Sequence, residues 1–145
     1  MKLKVQIDSA FQEEMLQIQA PSRTPKVQQV VEFVESLDDN QRLKGKKDGE
    51  AYLIKTNAIS RIYIENRQVL AETIQGEYHL GLRLYQVLEK LPSYFIKISQ
   101  SEIVNLKEIE RFNITPNALV EIHLKNKETT YSSRRYLKAI KEKLQ

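Results

Sequence analysis

The sequence predicts a mainly β protein with flanking helices, of the α+β class. Three observations carry this. Most segments after residue 50 are short and alternate apolar with polar residues, the period of a half-buried strand. Turn-forming pairs such as Thr56-Asn57, Asn66-Arg67 and Gln75-Gly76 separate them. Three other stretches space their apolar residues by three and four, as helices do.

Taken in order, Lys2–Asp8 alternates Leu3, Val5 and Ile7 with Lys2, Lys4 and Gln6, which predicts a strand. Met15–Ala20 is a second candidate strand before Pro21 and Pro25 break the chain. Thr24-Pro25 has the form of an N-cap followed by proline at the first helical position. Val27, Val30, Val31, Phe33, Val34 and Leu37 then line one face of a helix ending near Asp38-Asp39-Asn40. This gives a small strand–strand–helix extension over residues 1–45, without evident chemistry. The cluster Gly45-Lys46-Lys47-Asp48-Gly49 reads as a turn, and a second domain over 46–145 starts there.

In that second domain, strands are predicted at Ala51–Lys55, Ile59–Glu65, Gln68–Thr73 and Glu77–Leu80. A helix follows, with Leu84, Val87, Leu88 and Leu91 on one side and Pro92 as its stop. Strands resume at Tyr94–Ser99, around Ile103–Ile109, at Glu110–Ile114 and at Leu119–Leu124. Asn126-Lys127 reads as a hairpin turn leading to a strand through Tyr131. The closing helix spans Ser133–Leu144, with Tyr136, Leu137, Ile140 and Leu144 on one side.

Composition narrows the function classes. The chain has 145 residues, 41% hydrophobic and 29% charged, enough apolar content for a core. It has no cysteine, so no disulfide framework and no thiolate metal site. No apolar run approaches the ~20 residues of a membrane span, and the start MKLKVQIDSA lacks a signal-peptide core. The expectation is a cytoplasmic protein without membrane insertion. The two histidines, His79 and His123, lack metal-ligand spacing, and neither nucleophile motifs nor a glycine-rich phosphate loop occur. Neither an enzyme nor a cofactor is indicated.

The formal charge is +4, and residues 97–145 carry all of it, with 10 Lys+Arg against 6 Asp+Glu. A basic excess at one end suits a polyanion partner, or is simply a solvated face. Within it, TYSSRRYLKAIKEKL places Arg134 and Arg135 just after a candidate N-cap, Ser132 or Ser133. Cations in a first helical turn are disfavoured by about 0.3–1 kcal/mol each, because the helix dipole is positive there. Either an anion such as a DNA phosphate compensates, or Arg134 pairs with a carboxylate and Arg135 is solvated. Upstream, KISQSEIVNLKEI sets Ser99, Gln100 and Ser101 between two apolar segments. Gln and Ser can read base edges, and Lys97 can meet a phosphate; alternatively the serines bond their own turn. Asn105 reads as a structural amide tying adjacent loops.

FIKISQSEIVNLKEIERF (95–112) and VEIHLKNKETTYSSRRYLKAIKEKL (120–144), with AYLIKTNAISRIYIEN (51–66), resemble the LytTR DNA-binding domain of bacterial transcription regulators. The resemblance implies an elongated set of short-stranded sheets. It implies a response-regulator-like transcription regulator that binds double-stranded DNA through loops in successive major grooves, as a homodimer on paired promoter repeats. By position it implies three contacting regions: Arg67 in the turn after I-Y-I-E; Lys97, Ser99, Gln100 and Ser101 after F-I-K-I; and Arg134 and Arg135. Family members often carry His and then Arg, Lys or Asn where this chain has Ser99 and Gln100. The phosphoacceptor receiver common in the family is absent from the first 40 residues, which are similar to the extension of stand-alone members. The alternative is a non-enzymatic protein-interaction module with a basic face.

Overall fold

A computed structural model describes residues 1–37 and 41–144. The chain forms two units, Met1–Leu37 and Asp38–Gln145.

In the first unit, helix α1 spans Pro25–Leu37. Thr24 caps it as the sequence predicts: its Oγ1 accepts from the Val27 N–H at 3.3 Å, and its carbonyl accepts from Gln28. The predicted end at Asp38-Asp39-Asn40 lies outside the described residues. The two predicted strands before α1 are not formed. A strand needs a neighbour for its N–H and C=O groups, and residues 2–20 have none among the described residues. Leu3, Val5 and Ile7 therefore stand 87%, 69% and 89% exposed. An Asp8–Phe11 turn, closed by a 3.1 Å backbone bond, lies between the two segments.

The second unit is mainly β. A seven-stranded antiparallel sheet runs in the order β2-β1-β5-β4-β3-β7-β6, and a three-stranded sheet in the order β10-β9-β8. The strands are β1 (Arg42–Lys47), β2 (Glu50–Lys55), β3 (Arg61–Glu65), β4 (Gln68–Thr73), β5 (Gly76–His79), β6 (Phe95–Ser99), β7 (Glu102–Asn105), β8 (Ile109–Ile114), β9 (Val120–Leu124) and β10 (Thr129–Tyr131). Helix α2 (Leu84–Lys90) connects β5 to β6, and α3 (Leu137–Leu144) ends the chain.

One strand was missed in the sequence. Gly45–Lys47 is the end of β1, not a turn, and the turn is confined to Asp48-Gly49, both left-handed at φ 51° and 79°. Gly45 is needed inside β1 because a Cβ there would fall 2.6 Å from the Ile54 side chain and 3.0 Å from Tyr78 Cβ. The strand predicted through Ile103–Ile109 instead breaks at Asn105, and 106–108 form a 3-10 turn. The cause is the Asn105 side chain, fully buried, which accepts from Lys107 N–H and donates to the Ile59 carbonyl, both at 2.9 Å.

β6 and β7 are packed on both faces. Phe95 and Ile103 join the core that contains Ile59, Ile62, Leu84 and Val87, with α2 against it. Ile96, Ile98 and Val104 join the second core, with Val120, Ile122, Leu124 and Ile140. Each large apolar side chain so buried contributes about 1.5–3 kcal/mol. The β6–β7 turn at Gln100-Ser101 thus projects from two strands anchored in both cores.

A partly buried ionic cluster clips the two sheets together. Arg61 on β3 donates to Glu72 on β4 and, at 3.1 Å, to Glu102 on β7. Glu102 also accepts from Thr130 on β10, and Glu72 from the Asn126 amide at 2.8 Å. Burial alone would lower the Arg61 pKa. The hydrogen bond and charge of Glu72 and the charge of Glu102 outweigh it and hold the guanidinium above its ordinary value.

Candidate nucleic-acid interface

Three turns carry the residues singled out in the sequence. The first is the two-residue turn between β3 and β4, where Glu65 pairs with Gln68. Asn66 and Arg67 both have positive φ, 51° and 64°. This is the type I′ geometry that matches strand twist, and it favours Asn followed by Gly. Asn66 satisfies that preference. Arg67 does not, since a side chain in the left-handed region costs about 1–2 kcal/mol. Arg67 is exposed at the tip.

The second is the β6–β7 turn. Its backbone is fastened to β3, because Ile64 N–H donates to the Ser101 carbonyl at 3.0 Å. The two serines serve the turn itself: Ser99 Oγ accepts from Ser101 N–H at 3.2 Å and lies 3.5 Å from Ser101 Oγ. Gln100, between them, is exposed at the tip.

The third is the segment before α3. Ser133 N–H donates to the Ile98 carbonyl at 2.9 Å, which holds this segment against β6. Arg134–Tyr136 forms a 3-10 turn, and the α-helix proper starts only at Leu137. Neither serine caps it through its side chain. Ser132 is buried, its hydroxyl accepting from Val120 N–H at 3.0 Å, and Ser133 occupies the cap position without a side-chain bond. Arg134 and Arg135 are both exposed. Among the described residues neither forms an ion pair, so the carboxylate alternative is not realised. Lys97 lies beside the same turn, its ammonium 6.0 Å from the Tyr136 ring centroid.

The structure brings Arg67, Lys97 and Gln100 into one depression of about 650 Å³, together with Arg83, Leu82 and Ile64. Arg134 and Arg135 are not among its walls; they are joined to it through β6. Nearby on β3, burial pushes the Tyr63 phenol pKa up, and its hydrogen bond to Glu77 pushes it further.

Residues 49–145 match the LytTr DNA-binding domain. The chain belongs to the LytTR family. Two Staphylococcus aureus proteins, from strains NCTC 8325 / PS 47 and COL, each named uncharacterized HTH-type transcriptional regulator, are 40% identical over 144 residues, covering 99% of this chain and 98% of theirs. Among solved structures, the LytTr DNA-binding domain of a putative methyl-accepting/DNA response regulator from Bacillus cereus aligns with TM-score 0.69 and 15% identity, over 72% of this chain and 97% of that one. This LytTR fold is therefore a DNA-binding domain built of strands. Among its described residues, α2 and α3 are separated by five strands, so no helix-turn-helix pair is formed between them. No described helix is long and apolar enough to cross a membrane.

Proposed function

We propose that the protein is a sequence-specific transcription regulator that reads promoter repeats through these three turns in the major groove. One observation carries the proposal. Ile64 N–H bonded to the Ser101 carbonyl ties the second turn to β3, which carries the first, and Ser133 N–H bonded to the Ile98 carbonyl ties the third to β6, in a sheet where β3, β7 and β6 lie side by side. Their exposed tips offer complementary chemistry. Arginine forks suit guanine or phosphate, and the Gln100 amide suits adenine. Lys97 and Arg134 supply charge toward the backbone, while Ser99 and Ser101 shape the turn that presents Gln100. Selection from random double-stranded oligonucleotides with the purified chain tests this. A recovered common sequence supports it. Recovery without sequence preference would favour the protein-interaction module with a basic face.

Arg67 offers a test that separates fold from function. Glycine at its left-handed position should relieve strain, so Arg67→Gly is expected to raise stability by about 0.5–1 kcal/mol in chemical denaturation. The same variant should bind the selected DNA more weakly. Stability and affinity moving together would argue that Arg67 is only a turn residue.

On paired repeats two copies act together, and residues 1–20 suit a second copy. Leu3, Val5 and Ile7 alternate along one face and are exposed, while on the other face Lys2 and Lys4 can meet one of Glu13 and Glu14, whose side chains point to opposite faces of an extended segment. Antiparallel pairing between copies would cover the former and match the latter. Light scattering should show a dimer that is lost in the double variant Val5→Asp, Ile7→Asp. A wild-type monomer at the same concentration, free and on paired repeats, would contradict this pairing.

A further inference from the structure

The concave surface that holds Arg67 does not stop at the three turns. Arg67 and Arg83 wall the depression containing Lys97 and Gln100, and both also wall a second one, of about 630 Å³, that continues to Lys46 and His79. Among the described residues, Lys46, Arg67, Arg83 and Lys97 form no ion pair. Asp48 is the one acidic residue lining either depression. Lys47 also lines the second but is engaged, donating to the Gln75 carbonyl and lying 5.3 Å from the Tyr78 ring centroid.

Arg83 has a second peculiarity. It occupies the N-cap position of α2, with extended backbone at φ −77° and ψ 154°. Caps favour Ser, Thr, Asp or Asn because their oxygens accept from the first N–H groups. A guanidinium has no acceptor. The cap is instead supported by Gln86, whose Oε1 accepts from Arg83 N–H at 3.0 Å. The Gln86 N–H donates back to the Arg83 backbone carbonyl at 3.0 Å, and the exposed guanidinium, a donor only, accepts nothing from the helix. So two arginines on one concave wall, Arg67 and Arg83, each occupy a position where local preference favours another residue. Such departures are expected at functional or strained sites.

We propose that Arg83, assisted by Lys46, binds a DNA phosphate in this second depression. The inference rests on the DNA-reading role proposed above and extends it from base-reading turns to a backbone anchor on the β1 and α2 side of Arg67. The guanidinium fork fits two oxygens of a phosphodiester, and the Lys46 ammonium adds a point charge. Such a contact fixes register along the duplex and carries no sequence information of its own.

The test uses the full chain, the duplex it selects and an unrelated duplex, with affinity measured across a salt series. The variants are Arg83→Asn, which restores a cap acceptor while removing the charge, and Lys46→Gln. Lys90→Gln, at the far end of α2 and lining neither depression, is the control. Loss of one phosphate contact should flatten log affinity against log salt by about 0.9, close to fivefold in affinity at ~0.15 M salt, equally for both duplexes. Arg83→Asn should show this with an unchanged or higher melting temperature, Lys46→Gln should show a smaller loss of the same kind, and Lys90→Gln should match wild type. Wild-type binding to the selected duplex combined with unchanged affinity and slope in Arg83→Asn overturns the anchor and leaves the DNA-reading role standing. A change in selectivity without a change in slope overturns the phosphate assignment in favour of a base contact. Failure of the wild type to prefer any duplex overturns the DNA-reading role and the anchor together.

Discussion

Arg135→Ala is expected to weaken binding to the selected duplex about 5- to 150-fold, the 1–3 kcal/mol of a side chain that contacts a base. The expectation follows from its position. Arg135 is exposed in a 3-10 turn that is fastened to β6 and has no acidic partner among the described residues. Its guanidinium is thus available without breaking anything in the fold, and the unfolding free energy should stay within the roughly ±0.5 kcal/mol typical of surface substitutions. A gel-shift titration over single-base variants of the site separates two modes. Relaxed discrimination at one position marks a base contact, and uniform weakening with a flatter salt slope marks a phosphate. Unchanged binding would remove Arg135 from the interface.

The largest stability effect is expected at Arg61, which lies outside the three turns. Its removal would leave the Glu72 and Glu102 carboxylates facing each other, each largely shielded from water, with side chains 13% and 11% exposed. Breaking a buried ionic cluster from one side costs about 3–5 kcal/mol. Arg61→Ala should lose that much in urea denaturation. The triple variant Arg61→Met, Glu72→Gln, Glu102→Gln should lose much less, because both shielded carboxylates lose their charge with the guanidinium, and Glu128, 3.9 Å from Arg61, is already 56% exposed. Since Glu102 also holds Thr130 and Glu72 holds Asn126, the single variant should loosen the three-stranded sheet first. Faster amide exchange at Ile122 and Thr130 than at Ile62 would show it. A loss below about 1 kcal/mol would mean that the cluster is a surface network of little consequence.

Strand periodicity proved the most legible feature of the chain. Gln68–Thr73 was read with its observed bounds, and most other strands of the second unit within a residue or two. The failures have physical causes. The alternation of Leu3, Val5 and Ile7 encodes a surface suited to pairing, but pairing needs a partner strand, and the sequence cannot say whether the same chain supplies it. β1 was hidden because Gly45, a turn residue by composition, is required there by the close approach of Ile54 and Tyr78. That requirement exists only once the sheet is formed. The sequence pattern places the arginines before α3 in a first α-helical turn, whereas Ser132 is drawn into the sheet by Val120 and the segment tightens to 3-10.

Parts of the candidate site were legible for the same reasons. Arg67 could be found because Asn66-Arg67 punctuates two clear strands, and Gln100 because it interrupts an apolar pair. Arg83 could not be found by periodicity. Its signal is an arginine in an N-cap position, visible only when the start of α2 is known. That Arg67, Lys97 and Gln100 share one depression is a consequence of β3 lying beside β7, a pairing that joins residues about forty positions apart.

The most direct measurement is the change in backbone amide chemical shifts of the full chain when the selected duplex is added. Arg67, Gln100, Ser101, Arg135 and Tyr136 should shift together at one protein-to-DNA stoichiometry, while the β2 edge at Tyr52 and Leu53 stays still. Shifts centred on that edge, with the three turns unmoved, would contradict it.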